Sequence, residues 1–351
     1  MNVNKKELQS AVENISVLAS HYVNYSIYFQ KKGNNLLLKF VGSDKLLYFD
    51  SICCSGEDTE VFSLTEIKQL LTFLKKSKGE ICELKLKDDV LELTCNLITK
   101  NFSFELKESE MKLVDESIVP EQIHDAQRFV SAIKLAEEYT ADDKEMECLR
   151  CVSFTPEGTV RALNGHMFFM ETSEEWKKFY KSNKETILIK NNLASLFVKV
   201  FNKTENIRVC ITDFIFYAES DTKQLVFSTC DESYPDWSQF LSLQDKVSSE
   251  LMIDCRAFKE VVEVLSETKD DRVEFEDDEM RVYFKDKVYG HSKKVLLSHT
   301  EKMIYHLGQL KKIVSEVSFE SIILRITGET SPTFINGEKD RLFCIMPIRQ
   351  K

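Results

Sequence analysis

The chain is poor in the residues that break regular structure, with 5 prolines and 10 glycines among 351 residues. No stretch approaches the roughly 18 consecutive apolar residues that a membrane-spanning helix needs. The first residues, Met-Asn-Val-Asn-Lys-Lys-Glu, contain no apolar core of a signal peptide. We therefore expect a cytoplasmic protein without membrane spans, long enough for two or three domains.

The motifs of several large enzyme classes are missing. There is no Gly-rich phosphate loop, no Gly-x-Ser-x-Gly nucleophile turn and no His-Glu-x-x-His zinc motif. The six histidines are scattered, and acidic pairs such as Asp277-Asp278 lack metal-ligand spacing to other acids. The sequence therefore predicts a protein that is not an enzyme and has no cofactor.

The ten cysteines lie mostly in apolar stretches with strand-like alternation. In a long chain with no export signal, buried free thiols are expected rather than disulfides. Cys148 and Cys151 have the spacing of zinc ligands, but no second Cys or His pair follows at a usable distance. The sequence thus predicts no metal site.

A pattern of helix, three strands, helix, three strands runs through the chain three times. Apolar residues at helical spacing predict first helices at 5–20, 124–140 and 254–267, and second helices at 64–78, 190–204 and 301–313. The stretches between them alternate apolar and polar residues, as strands do at 24–30, 272–276 and 280–284. A unit of roughly 115 residues is too long for a solenoid repeat and indicates a small domain copied three times.

Two polar linkers, at 112–120 and 242–249, suggest where these copies meet. We expect domains at 1–116, 117–245 and 246–351. Neither linker is long or rich in glycine, so the domains should be docked on one another rather than flexibly tethered.

The net charge of −11 is unevenly distributed. The three predicted second helices carry net charges of +3, +3 and +2, which leaves the rest of the chain strongly acidic. One reading is three ordinary solvated faces with lysines near helix C-termini, where the helix dipole favours cations. The other, which the recurrence in all three copies favours, is a shared positive surface for nucleic acid.

Three short motifs stand out from this pattern. Asn164-Gly165, followed by His166, reads as a two-residue type I′ hairpin turn before the apolar run 167–170. Tyr234-Pro-Asp-Trp237 is an aromatic–proline turn followed by Phe240 and Leu241. The chain ends in an apolar strand that closes with Met346-Pro-Ile-Arg349, and Ser331-Pro332 precedes it.

In order and spacing, these motifs resemble those of the bacterial DNA polymerase III beta subunits, the beta sliding clamps, and the threefold repeat and length agree over the whole chain. Three of the five prolines, Pro235, Pro332 and Pro347, fall in the shared motifs. The chain departs from the family pattern at Leu163-Asn164 and at Met167, where the family has Thr-Asp and an arginine. The rim of a docking site would therefore be less polar here, with altered peptide preference.

The resemblance implies an α+β fold of three repeated clamp-type domains, each with two helices packed on antiparallel sheets, which together form half of a ring. Two copies would close the ring around duplex DNA, with the basic helices facing the phosphates. The DNA-binding residues would be Lys68, Lys75, Lys76, Lys199, Lys203, Lys311 and Lys312. The candidate contacts between the two copies of the homodimer are Phe104, Leu106, Val264 and Leu265.

The resemblance also implies a cleft that takes short linear motifs of DNA polymerases and clamp-loader subunits. By position, its residues would be Leu149, Leu163, Gly165, His166, Phe168, Pro235, Phe240, Cys344, Met346, Pro347 and Ile348. The chain would then be a processivity factor of DNA replication. The alternative is a clamp-like protein that binds partner peptides without encircling DNA.

Overall fold

The structure is a computed structural model, which describes residues 1–22, 24–43, 46–107, 118–142, 145–265, 271–284, 287–293, 295–297 and 300–348. Contacts group the chain into two units. Unit 1 comprises Met1–Lys134 and Lys178–Cys230, and unit 2 comprises Leu135–Lys177 and Asp231–Lys351. Within the described residues, no helix is long and apolar enough to cross a membrane.

The described residues contain seven α-helices: α1 Lys5–His21, α2 Ile67–Lys76, α3 Ala126–Glu138, α4 Asn191–Phe201, α5 Ser238–Leu241, α6 Cys255–Leu265 and α7 Leu307–Glu316. Short 3-10 helices lie at Glu147–Arg150, Glu174–Phe179 and Ser242–Lys246.

The strands of the first part of the chain are β1 Asn2–Asn4, β2 Tyr25–Lys32, β3 Asn35–Gly42, β4 Leu47–Ser55, β5 Phe62–Leu64, β6 Ile81–Lys87, β7 Val90–Cys95, β8 Ile98–Leu106, β9 Glu121–Ile123, β10 Cys151–Thr155, β11 Thr159–Leu163 and β12 Met167–Thr172. The remaining strands are β13 Ile187–Lys190, β14 Ile207–Ile211, β15 Ile215–Glu219, β16 Lys223–Ser228, β17 Ser249–Asp254, β18 Arg272–Asp277, β19 Glu279–Phe284, β20 Lys287–Ser292, β21 Thr300–His306, β22 Ser321–Ile326, β23 Thr333–Asn336 and β24 Arg341–Ile345.

Unit 1 contains one sheet of twelve strands, in the order β1-β6-β7-β8-β5-β2-β3-β4-β16-β15-β14-β9. The pairing of β4 with β16, with Tyr48 opposite Leu225, joins strands of the predicted first and second domains. Helix α1 begins at the side chain of Asn4, which accepts hydrogen bonds from the backbone N–H groups of Lys6 and Glu7. This helix packs against both α2 and α4.

Unit 2 contains seven strands in the order β10-β11-β12-β24-β23-β22-β17, and a separate sheet β20-β19-β18-β21. The pairing of β12 with β24 places Phe168 opposite Cys344 and Met167 opposite Ile345. Strands of the predicted second and third domains thus lie side by side. This pairing positions the candidate docking site.

The predicted α+β class is confirmed, as are the first helices and two of the three second helices, within a few residues at their ends. The prediction of the second helix in the third copy, at 301–313, is wrong in its first half. Residues 301–306 belong to β21, and the helix begins only at Leu307. Met303 and Tyr305 are buried on alternate positions of this strand, and Tyr305 pairs with Val273 of β18. Tertiary pairing therefore overrides the helical spacing of the apolar residues here.

The division into three domains stays a prediction. Its first boundary, at 116–117, and the end of the terminal motif, Arg349, lie outside the described residues. The continuous pairing across β4–β16 and β12–β24 explains why contacts yield two units.

The expectation that all the cysteines are free thiols is wrong for one pair. Cys82 of β6 and Cys95 of β7 lie opposite each other and form a disulfide with a Cα–Cα distance of 4.6 Å. The register of two antiparallel strands brings them together, which the spacing in sequence did not indicate. The other eight cysteines, among them Cys148 and Cys151, form no disulfide.

Candidate functional site

Two segments of the predicted docking site are held together by main-chain pairing in unit 2. Strand β12 carries Phe168, and its neighbour β24 carries Cys344. Beyond the end of β24, the N–H of Met346 donates to the carbonyl oxygen of His166 at 2.8 Å, and the N–H of Ile348 donates to that of Ile304 at 2.8 Å. The C-terminal residues are therefore pinned beside the turn that contains His166.

That turn differs from the predicted one. Leu163 pairs with Phe168, and the N–H of Asn164 donates to the carbonyl oxygen of Met167, so Gly165 and His166 are the central residues. Only Gly165 has a positive φ, of 82°. The Asn164 side chain accepts from the N–H groups of His166 (3.1 Å) and Met167 (2.8 Å). A type I′ turn centred on Asn164-Gly165 is therefore wrong, because the asparagine side chain replaces a main-chain acceptor.

The third segment, Tyr234 to Leu241, packs its aromatic side chains onto these strands. Trp237 stacks on Phe168 with ring centroids 4.7 Å apart and planes 22° from parallel. Phe240 meets the edge or face of Trp237, Phe168 and Phe334 at 5.2, 5.8 and 5.5 Å. We refer to Phe168, Trp237, Phe240, Phe334, Leu342 and Cys344 as the docking cluster.

Local sequence fixes the course of this third segment. The carboxylate of Asp236 accepts from the N–H of Ser238 at 2.9 Å, at the start of the one-turn helix α5. Backbone and side-chain hydrogen bonds from Ser238 lower the pKa of Asp236. The N–H of Leu241 donates to the carbonyl oxygen of Trp237 at 2.8 Å. These contacts turn Trp237 and Phe240 toward the sheet while Pro235 stays exposed.

Burial separates the predicted docking residues into a floor and a rim. Leu149, Phe168, Cys344 and Pro347 are buried, and of these Phe168 and Cys344 belong to the docking cluster and form its floor. Leu163, Gly165, His166, Pro235, Phe240, Met346 and Ile348 are exposed or half-buried, and only these can touch a partner without rearrangement. Leu149 lies apart from the docking cluster, in a 3-10 helix that packs against β11.

Several cluster members were not predicted as site residues. Trp237 is the aromatic residue at the end of the Tyr234-Pro-Asp-Trp237 motif, and this position in the motif could have identified it as a site residue. Phe334 and Leu342 join the cluster through β23 and β24, which pair Asn336 with Leu342 and Phe334 with Cys344. No sequence signal distinguishes these two from other strand residues.

Polar groups border the cluster on one side. The guanidinium of Arg161 lies 5.5 Å from the ring centroid of Tyr234, and its Nε donates to Ser153 Oγ at 3.1 Å. Burial raises the pKa of Tyr234, against the opposing charge of Arg161. On the other side the His166 and His306 rings lie 6.5 Å apart, edge to face. The docking cluster is thus apolar with polar groups beside it, a composition suited to an apolar peptide side chain with polar flanks.

The predicted DNA-binding lysines are mostly exposed, but they are less evenly distributed than expected. Helix α2 carries Lys68, Lys75 and Lys76 without an acid, a net of +3. Helix α4 carries only Lys199, because the helix ends before Lys203, which has a φ of 73°. Helix α7 carries Lys311 and Lys312 against Glu316, a net of +1.

Some of these lysines already have partners. Lys75 Nζ lies 3.1 Å from Glu13 Oε1. Lys312 Nζ donates to the carbonyl oxygen of Glu138 at 2.5 Å, lies 3.4 Å from its Oε2, and sits 4.7 Å above the ring of Tyr139. Lys302, counted with the third basic helix, lies on β21 and pairs with Glu274 at 2.8 Å.

The predicted contacts between two copies differ in exposure. Leu106 is 57% exposed and Val264 is 76% exposed. Phe104 is buried and packs edge to face on Phe62, and Leu265 is half-buried. Leu106 and Val264 are therefore the residues of this set that are available to another chain. Within the described part of the chain, no group of three or more His, Cys, Asp or Glu side chains is placed to hold a metal ion.

Comparison with known proteins places this fold. No protein-family model matches the chain, and no curated protein sequence does. Among solved structures, the DNA polymerase III beta subunit of Thermotoga maritima has a TM-score of 0.79 at 15% identity, with 100% of this chain and 99% of that chain covered. The beta clamp of Helicobacter pylori bound to a DNA ligase peptide has a TM-score of 0.78 at 16% identity, with 99% of both chains covered. The DNA polymerase III subunit beta of Pseudomonas aeruginosa has a TM-score of 0.77 at 12% identity, with 100% of both chains covered. These similarities confirm the predicted resemblance and show that the chain has the fold of the beta sliding clamps.

Proposed function

We propose that this chain is the subunit of a DNA sliding clamp, a processivity factor for DNA replication. Two copies form a ring that encircles duplex DNA and tethers polymerases and other DNA enzymes through the docking cluster. The observation that carries this proposal is the likeness to beta clamps over essentially the whole length of both chains. Because the similarity extends over the whole chain and not over one domain, it favours a complete clamp subunit.

The docking function rests on the apolar floor and its half-buried rim. A short linear peptide binds such a site by packing one or two apolar anchors against the partly buried apolar residues. Met346 on the rim can adapt its unbranched side chain to different anchors. The Helicobacter pylori clamp with its ligase peptide supports this class of partner for the present chain.

The contact with DNA rests on exposed lysines rather than on a deep site. Lysines interact with the charge of the phosphates and not with the edges of the bases. The contact therefore does not depend on the DNA sequence and permits sliding. The strongly acidic remainder of the chain repels DNA from other surfaces. A ring holds DNA topologically, so few phosphate contacts suffice.

Threading onto DNA ends tests the ring directly. A fluorescent duplex with a biotin at each end is titrated with the protein before and after both ends are blocked with streptavidin. A ring binds the open duplex and fails to bind the blocked one, because it has no end to pass over. Equal binding to both duplexes contradicts encirclement, and a duplex blocked at one end serves as the control.

The unequal basic helices favour one alternative, a clamp-like protein that binds partner peptides without encircling DNA. Net charges of +3, +1 and +1, with Lys75 and Lys312 already paired, provide less phosphate attraction than three equal basic helices. The molecular mass in solution separates the two functions. A strict monomer at micromolar concentration contradicts the ring, because one three-domain arc cannot surround a duplex.

A further inference from the structure

A carboxylate of unit 1 lies among the lysines of two basic helices. Helix α1 packs against α2 and α4, and Glu13 is half-buried on α1. Its Oε1 lies 3.1 Å from Lys75 Nζ of α2 and accepts from Gln9 Nε2 at 3.3 Å. Lys199 of α4 is close enough to interact with Glu13 electrostatically.

The charges of these three groups are mutually dependent. Partial burial alone would raise the pKa of Glu13, but hydrogen bonds from Lys75 and Gln9 and the charges of Lys75 and Lys199 lower it overall. Partial burial lowers the pKa of Lys199; the charge of Glu13 opposes this effect, and that of Lys75 reinforces it. Glu13 is thus held as an anion beside the two lysines.

Unit 2 repeats this arrangement independently. Glu138, at the end of α3, holds Lys312 of α7 through both its carbonyl and its carboxylate oxygens. In both units a carboxylate on a first helix therefore neutralises a lysine on a second helix. The recurrence argues against an incidental surface ion pair.

Such a pair can be exchanged for a phosphate at little cost. The side chains of Lys75 and Glu13 remain 53% and 33% exposed, so the pair is partly screened by water. A lysine that is paired with a carboxylate cannot neutralise a DNA phosphate until the pair opens. Until then it releases no counterion from the DNA. Its contact with DNA then contributes less to affinity than the contact of an unpaired lysine.

We propose that Glu13 is an internal counter-anion that competes with DNA phosphates for Lys75 and Lys199, and so keeps the hold on DNA weak enough for sliding. This inference rests on the proposed DNA contact of these lysines. Glu13 itself is a positioning residue, since it acts on DNA only through the two lysines.

Neutralising Glu13 tests the inference in the full-length protein. Binding to a fluorescent open-ended duplex is measured over a range of salt concentrations for wild type, Glu13→Gln and Glu7→Gln. Glu7 lies exposed on the same helix and outside this cluster, so its substitution makes the same change in net charge. We expect Glu13→Gln to bind about threefold more tightly than Glu7→Gln at low salt, or about 0.7 kcal/mol. The slope of log affinity against log salt should steepen by about 0.9 for each lysine released.

A double-mutant cycle separates this effect from general electrostatics. In a Lys75→Gln, Lys199→Gln background the gain from Glu13→Gln should disappear, because no competing lysine remains. If the lysine substitutions weaken binding but Glu13→Gln and Glu7→Gln have equal affinities and salt slopes, the inference is wrong and the proposed DNA contact still stands. If the lysine substitutions leave binding unchanged, or wild type does not bind the duplex, the DNA contact and the inference both fail. Thermal melting by circular dichroism checks that each variant is folded.

Discussion

The indole ring of Trp237 lies flat on the ring of Phe168, with centroids 4.7 Å apart. The two residues are 69 positions apart in sequence, and their contact anchors the loop after β16 to the strand after the Gly165 turn. Trp237 is 6% exposed, and its Nε1 has no hydrogen-bond partner among the described residues. Its role in the docking cluster is therefore packing rather than hydrogen bonding.

Removing this ring should destabilise unit 2. Trp237→Ala leaves a cavity against Phe168 and Phe240, and we expect the free energy of unfolding to fall by about 3–5 kcal/mol. Trp237→Phe keeps a stacked ring and loses no hydrogen bond, so its loss should be clearly smaller. Urea denaturation followed by circular dichroism measures both. Equal losses for the two variants would contradict a packing role.

Truncating Met346 should weaken peptide docking without unfolding the site. Its N–H bond to His166 uses the main chain and survives in Met346→Ala, whereas the apolar rim is lost. We expect the affinity for a polymerase clamp-binding peptide to fall about tenfold, or about 1.4 kcal/mol. Fluorescence anisotropy with a labelled peptide measures the change.

The control for this substitution is Met252→Ala. Met252 is a half-buried methionine on β17 of the same unit and lies outside the docking cluster. It should leave peptide affinity within about twofold of wild type. A similar loss in both variants would indicate a general effect on stability and refute the docking role of Met346.

A charge at Leu106 should disrupt the proposed ring. Leu106 is 57% exposed at the end of β8, so Leu106→Asp should leave the fold intact and place a desolvated carboxylate in the subunit contact. Sedimentation velocity should then show a shift from dimer to monomer. Leu97→Asp, at a 91% exposed leucine of the same unit, should stay dimeric. A dimer that tolerates Leu106→Asp would place the contact elsewhere.

The stability of unit 2 should depend on pH through Glu274. Its side chain is 3% exposed and bonds to Lys302, Tyr283 and Arg281. Burial would raise the pKa of Glu274, but these hydrogen bonds and the charge of Lys302 lower it below its ordinary value. Because the folded-state pKa is lowered, the stabilisation is complete above the ordinary pKa of 4.5 and is lost as the pH falls through the folded-state value.

Two glutamine variants measure this contribution. Glu274→Gln should cost about 2 kcal/mol at neutral pH, because Lys302 and Arg281 lose charge-assisted hydrogen bonds to a buried anion. The difference from wild type should shrink in acid. Glu276→Gln, at the more exposed partner of Arg281, should cost less than about 1 kcal/mol at any pH. Denaturant midpoints at a series of pH values give both curves, and a constant cost for Glu274→Gln would contradict the assignment.

Much of the local structure followed from sequence because its causes are local. The apolar spacing of α1, the alternation in β2, β18 and β19, and the presence of a tight turn before β12 all depend on residues close in the chain. The beginning of α7 did not follow, because β21 forms only when β18 is beside it. The Cys82–Cys95 disulfide likewise depends on strand register.

For the candidate site, sequence alone determined the three segments that the structure brings together: the turn at 164–166, the motif at 234–237 and the terminal strand. It determined them because turns, prolines and aromatic residues leave a local pattern. The stack of Trp237 on Phe168, the floor added by Phe334 and Leu342, and the pairing of Glu13 with Lys75 were decided only by tertiary structure. These contacts join residues far apart in the chain, and their distance depends on how strands and helices pack, which no short pattern encodes.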